Sequence, residues 1–367
     1  MAVHPVVALL ATLAMVPAGA PQTTCRITDD RLTELSGLVA TRTGYVVVND
    51  GSDFADRRRV FFLNRSCKVV RSVAYPSRPR DTEDLAQAAD GTLWVADIGD
   101  NSRTRSTIAL WELAPGSRKP RLYRLAYPDG AQDAEALLLP PSGTPIVVTK
   151  TAGTVYVPEG PLRFGSTTPM RRVGTVSLPP TGTSNPFSFL GRSVITGGAV
   201  SPDGRRAVLR TYADAFEFDV VDGDVVRAVT TGTPRVIPLP DEPQGEAVAY
   251  TVDGAALLTV SEVERAPVPL LRYALPPARP SAGAPSSTAG PSSTAGPSST
   301  GLPPFTSGSP STLVEPSTSV TPSARAVAAP PREDRLPVGA LVTGGLLLAG
   351  AAALGVLLIR RRVAGGR

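Results

Sequence analysis

Short apolar runs separated by Gly-closed turns recur along the middle of the chain in one fixed order. A nine-residue unit, an apolar stretch followed by a turn ending in Gly, occupies residues 36–44, 83–91, 135–143, 196–204 and 246–254. A second apolar run follows each unit at once, at 45–48, 93–95, 146–148, 207–209 and 257–260. Strand, tight Gly turn and strand is the pattern of a β-hairpin. A third run comes after a longer polar loop, as at 60–63, 108–111 and 270–273, and most copies add a fourth, such as 122–126. Units recurring every fifty residues or so, roughly, predict a repeat architecture, and four antiparallel strands per repeat predict the blade of a propeller.

From residue 25 to about residue 275 there is room for five such blades. The fold class expected is therefore all-β, a five-bladed β-propeller. Six blades are the runner-up if a degenerate blade lies between Thr151 and Thr196. The fifth copy holds three strands before a Pro-rich stretch begins, and Arg26-Ile27-Thr28 is the unassigned extended segment. That segment is expected to serve as the outer strand of the last blade, closing the ring by hydrogen bonding. Cys25 begins it, and Cys67 stands at the turn before the outer strand of the first blade, its neighbour across the closure. A Cys25–Cys67 disulfide is expected in an oxidising compartment. A lipid on Cys25 is the runner-up, although residues 22–24 are not the small apolar run a lipobox needs, and two free thiols are a further alternative.

Two apolar segments bracket the repeats. Residues 1–20 carry an apolar core from Val6 to Met15 leading into Ala18-Gly19-Ala20, the layout of a secretory signal peptide cut after Ala18 or Ala20. Residues 336–359 contain no charged side chain, enough for about 35 Å of helix, and Arg360-Arg361-Arg362 opens the short tail 360–367. This predicts a single membrane span with a cytoplasmic C-terminus and extracellular repeats. Between the repeats and the span, residues 276–335 are dense in Pro, Ser, Thr, Ala and Gly, a composition that buries no core and reads as a stalk. Wall attachment is not expected: Leu336-Pro337-Val338 starts a sorting motif, but Gly339 stands where the acyl-forming Thr belongs.

The net charge of +5 adds no nucleic-acid signal, because Arg57-Arg58-Arg59 does not alternate with aromatics in the manner of a single-strand platform. The sole histidine, His4, lies in the expected leader. Its loss removes Ser-His-Asp and Cys-His catalysis and His-ligated zinc from the mature chain.

In a propeller the start of each innermost strand and the end of the next strand meet around the axis. The first set is Ser36, Glu83, Glu135, Thr196 and Glu246, and the second is Asp50, Asp97, Lys150, Arg210 and Glu262. An acidic funnel with two cations is expected. Glu83, Asp97, Asp100, Glu135 and Glu246 are the candidate ligands for calcium, which takes six to eight oxygens, about as many as such a ring supplies. The competing assignment makes these acids blade latches, with Asp50 and Asp97 paired to the loop arginines Arg57, Arg103 and Arg105 and Lys150 neutralising Glu135.

Residues 82–86 with 96–101, 134–137 with 148–150, 201–204 with 210–212 and 244–247 carry a resemblance. As a set they resemble an exported, largely uncharacterised propeller family of high-GC Gram-positive bacteria, over most of residues 30–275. More distantly the chain is similar to phytase-like and lactonase propellers, and that resemblance implies axial carboxylates that hold calcium. It departs from them in placing Ser36 and Thr196 at two axial positions and in lacking histidine. The function expected is a membrane-anchored extracellular module that binds a cell-envelope ligand or protein partner. A calcium-dependent hydrolase of phosphoesters or lactones is the alternative, with Glu83, Glu135 or Glu246 as the base.

Overall fold

Twenty strands arise from the alternating positions within residues 20–239 and 241–276, the part of the chain that this computed structural model describes. The stretches expected as leader, stalk, membrane span and basic tail lie outside these residues but for Ala20 and Pro276. Among the described residues no helix is long and apolar enough to cross a membrane. The architecture is all-β and propeller-like.

The strands group into antiparallel meanders of four. The first is β2 (Leu35–Thr41), β3 (Gly44–Asn49), β4 (Arg59–Asn64) and β5 (Val69–Ala74). The second is β6 (Thr82–Gln87), β7 (Leu93–Asp97), β8 (Ile108–Leu113) and β9 (Arg121–Ala126). The third is β10 (Ala134–Leu138), β11 (Ile146–Thr149), β12 (Thr154–Pro158) and β13 (Thr167–Thr175). The fourth is β14 (Ile195–Val200), β15 (Arg206–Thr211), β16 (Asp214–Asp219) and β17 (Arg235–Pro238). The fifth is β18 (Gly245–Tyr250), β19 (Ala256–Ser261), β20 (Val268–Ala274) and, from the other end of the chain, β1 (Gln22–Ile27). β1 runs antiparallel to β20, with Gln22 opposite Arg272 and Ile27 opposite Val268. The inner strands β2, β6, β10, β14 and β18 each lie beside the next, and β18 returns to β2.

Inner strands such as β10 and β18 are buried along their whole length, whereas the outer strands β5, β9 and β13 mix buried and exposed positions. Five apolar clusters result, one at each junction. Val46, Val48 and Val60 pack on Leu85, Val95 and Trp111 between the first and second meanders. Leu138, Ile146 and Val155 meet Leu209, Phe216 and Phe218 between the third and fourth. Leu35, Val47 and Phe61 meet Leu258, Val260 and Leu270 where the fifth meets the first. Stability is therefore spread around a ring rather than concentrated in one centre.

Three features went unassigned in the sequence. β9 and β13 pair in parallel, Thr167 to Pro169 beside Arg124 to Ala126, so the second and third meanders share one continuous eight-stranded sheet. A helix, α1 (Val225–Thr231), interrupts the β16–β17 connection, where Asp224 caps it by accepting the Arg227 N–H at 2.9 Å. A single 3-10 turn covers Leu190–Arg192.

Cys25 and Cys67 form a disulfide, with Cα atoms 5.8 Å apart and a sequence separation of 42. Cys67 is buried in the β4–β5 turn with φ 60°, so the bond ties the closing strand β1 to the first meander. Under the chain-entropy model a loop of this length stabilises by about 3 to 4 kcal/mol. Replacing both cysteines by alanine should lower the unfolding free energy in urea by about that amount. An unchanged urea midpoint would show that the β1–β20 ladder closes the ring unaided.

Candidate functional site

Each innermost strand pair slips register by one residue at the same place. The slips fall between Leu35 and Gly37, Thr82 and Asp84, Ala134 and Ala136, Ile195 and Gly197, and Gly245 and Ala247. The skipped residues are Ser36, Glu83, Glu135, Thr196 and Glu246, the leading residues of the five sequence units. A β-bulge re-aims the extra side chain out of the pleat. The repeat seen in the sequence is thus a repeated bulge.

Hydroxyls and carboxylates at this position do different work. Ser36 Oγ donates to the Glu83 carbonyl at 2.5 Å, and Thr196 Oγ1 donates to the Gly245 carbonyl at 2.8 Å, so both latch one inner strand to the next. The three glutamates instead bring carboxylates into one electrostatically linked group. Asp50, Asp81 and Glu83 each place an oxygen within 4.8 Å of the others. The Asp50 carboxyl hydrogen-bonds to Asp81, and Glu83 to Glu135. The Lys150 ammonium sits directly on Glu135, which is also close-packed and buried.

These contacts set the protonation of the group. Burial, then Glu135, Asp50 and Asp81 push the Glu83 carboxyl well above the usual carboxylate range. Burial followed by Asp81 and Glu135 does the same to Asp50. Burial raises Glu135 too, with Lys150 opposing it. For Lys150 burial works against the charge, but Glu135, Tyr212 and Glu83 outweigh it and hold the ammonium protonated. Gly99 makes the close packing possible: a Cβ there would stand 2.0 Å from Glu83 Oε1 and 2.6 Å from Asp81 Oδ2.

Beside this group lies Glu246, one of whose oxygens accepts from Gln244 at 3.0 Å while the other, Oε2, is buried without a hydrogen-bond partner. Burial, then Glu135, raises its pKa from 4.5 to about 7. Glu262 approaches through Gln244, whose amide donates to both carboxylates. Tyr212 faces the same acids, with burial and then Glu246 raising its phenol.

Three residues expected at the funnel are engaged elsewhere. Asp97 is 3% exposed and ion-paired to Arg105 at 2.9 Å, and it accepts N–H bonds from Arg80, Asp81 and the Trp111 indole. Asp100 folds its own loop, accepting the Arg105 N–H at 2.7 Å. Arg210 is fully buried and locks the fourth meander to the fifth, bonding Glu242 at 3.1 Å and the Ala247 carbonyl at 2.9 Å. Glu242 in turn accepts from Thr259, Ser261 and Tyr273. The structure thus gathers Asp50, Glu83, Glu135, Lys150, Glu246 and Glu262, and it withholds Asp97, Asp100 and Arg210.

Sequence reasoning passed over Asp81 and Gln244. A signal for them exists: Asp81, Asp133 and Gln244 each stand two residues before a bulged glutamate. A template begun at the glutamate leaves that position out.

No protein-family model and no curated protein sequence matches the chain. Among solved structures, a gluconolactonase from Xanthomonas campestris is similar with 16% identity and a TM-score of 0.40, over 66% of this chain and 73% of that one. A virginiamycin B lyase from Staphylococcus aureus gives 11% identity and a TM-score of 0.39 over 70% and 99%. A streptogramin B lyase gives 10% and 0.34, with 66% of this chain covered and only 65% of the lyase spanned.

Glu246 keeps its proton to about pH 7 in the folded chain and releases it near 4.5 when unfolded. Its contribution to stability is full below 4.5 and is lost as pH rises through 7. In the presence of a chelator the melting temperature should therefore fall between those pH values. Glu246→Gln should flatten that fall, and an unchanged slope in the variant would place the titration on other carboxyls.

Proposed function

We propose that the chain is a five-bladed propeller held outside the cell by a C-terminal membrane span, and that its axial acids hold a divalent cation of the calcium class. A cell-envelope ligand would meet the cation and Lys150 at that face. The observation carrying this reading is the convergence of Asp50, Asp81 and Glu83 within 4.8 Å, with Glu135 hydrogen-bonded to Glu83. Glu83 is buried and Asp50 and Asp81 are half-buried, and carboxyls this close to one another favour neutralisation by protons or by a cation, since like charges sharing a site resist ionising together. Carboxylate oxygens are the donors that hard divalent ions take. The donor set fits the ion, although it contains Asp50 and Asp81 in place of Asp97 and Asp100.

Glu246 favours a second reading, hydrolysis of phosphoesters or lactones. Its unpartnered oxygen and pKa of about 7 suit a group that accepts a proton at neutral pH. A bound divalent cation would supply Lewis-acid polarisation of an oxygen in such a reaction. Lys150, pinned on Glu135, would orient an anionic group beside it.

Calcium titrated into the metal-free full chain at pH 7 should raise its melting temperature. The stabilisation expected is about 2.7 kcal/mol at a hundredfold excess over the dissociation constant. Glu83→Gln should remove that response. An absence of any calcium or chelator effect in the wild type sinks both readings, whereas a calcium response without turnover of lactones or phosphoesters leaves the binding module alone.

The membrane reading rests on residues 336–359 and the three arginines after them. Protease added to intact cells stripped of any outer barrier should digest the repeats and spare a tag fused after Arg367. Digestion of the tag with the repeats protected would reverse the orientation.

A further inference from the structure

The connection from β13 to β14 is much the longest between meanders. It is fastened at one point. Thr181 and Thr183 donate their hydroxyls to Asp214 at 2.5 and 2.6 Å, and Arg192 Nε donates to the Thr183 carbonyl at 3.0 Å. From there the strap carries Phe187 onto the Tyr212 ring, with centroids 4.4 Å apart, and leaves Phe189 71% and Leu190 52% exposed. Between the strap and the turn at residues 151–153 lies a cleft of about 400 Å³, walled by Val176, Leu178, Pro179, Phe189 and Ile195. Arg192 lines it as well. Beyond the Nε bond, its guanidinium hydrogen-bonds no group among the described residues, and its charge reaches Asp214 only at longer range.

Apolar walls with one convergent, half-satisfied cation are the make-up of a small-molecule pocket, and the volume falls in the usual range. The planar fork of an arginine matches a carboxylate in two-point contact. We propose that this cleft binds a small amphipathic carboxylate, its anionic end on Arg192 and its apolar body among Val176, Leu178 and Phe189. None of the axial acids lines this cleft, and the binding proposed does not depend on a cation among them.

Titration calorimetry of the purified full chain in EDTA, with octanoate, acetate and octanol as probes, tests this. Octanoate should bind, and acetate and octanol should bind at least about tenfold more weakly, each lacking one half of the recognition. Arg192→Gln should weaken octanoate by about tenfold and bring it level with octanol, and Arg192→Lys should restore part of the loss. Phe189→Ala should weaken octanoate several-fold, and Glu83→Gln should leave it unchanged. Equal affinity for octanoate and octanol in the wild type would overturn the assignment without recourse to any variant. So would octanoate binding that EDTA or Glu83→Gln abolishes, because that would place the carboxylate on the axial cation instead. No octanoate binding at all would overturn it too.

Discussion

Five inner strands bring five unpaired sheet edges to one axis, and every buried N–H and C=O on those edges needs a partner. That requirement organises the centre of the molecule. Asp84, fully buried, answers it most directly, accepting the N–H groups of Leu137 in β10 at 2.8 Å and Gly198 in β14 at 3.1 Å. One carboxyl thereby joins three meanders. Thr82 and Ser36 satisfy carbonyls of or beside the adjoining strands, and Arg210 and Arg206 do so for Ala247 and Gly254. Removing any of these would strand a backbone group in a dry space, which costs more than the bond itself contributes.

The axial acids stand against this background as the unbalanced part. Asp84 has its N–H partners, and Glu242 and Glu217 have arginines. Asp50, Asp81, Glu83 and Glu135 mainly have one another, with Lys150 at the edge. Crowding these four carboxyls together gains nothing in stability, in contrast to the partnered Asp84, Glu217 and Glu242.

Much of the fold was legible because its signal is periodic. The Gly-closed unit marks each inner hairpin, and the polar residue opening it marks each bulge, as Ser36 and Glu83 show. That the N-terminal segment closes the last repeat, with a Cys25–Cys67 bond, followed from a strand deficit there, although the strand runs Gln22–Ile27 rather than Arg26 to Thr28. The fate of individual charges was not legible in the same way. Asp97 and Asp50 occupy matching sequence positions, yet Asp97 meets Arg105 and the Trp111 indole while Asp50 meets Asp81. Counting from the unit is off by one where the hairpin turns differ in length: Asp97 is the ladder partner of Thr82, as Asn49 is of Leu35, whereas Asp50 lies one residue beyond its ladder. The β9–β13 pairing joins edge strands of neighbouring meanders, a contact that the repeat pattern within one meander does not carry.

Strand direction carries one further consequence. β20 runs from the acid-bearing end of the axis to the opposite end, where Ala274 lies beside Ala256 at the start of β19, and β1 enters from that same end. A load applied between a ligand at the funnel and the chain beyond Pro276 would act along β20. It would pull that strand lengthwise past β19 on one side and β1 on the other, loading both ladders in shear, so that many hydrogen bonds would have to yield together rather than one after another. The Cys25–Cys67 bond would pass the remaining force into the first meander. By its strand order the domain would resist a pull between the acid-bearing end of the axis and Pro276 with two ladders in shear.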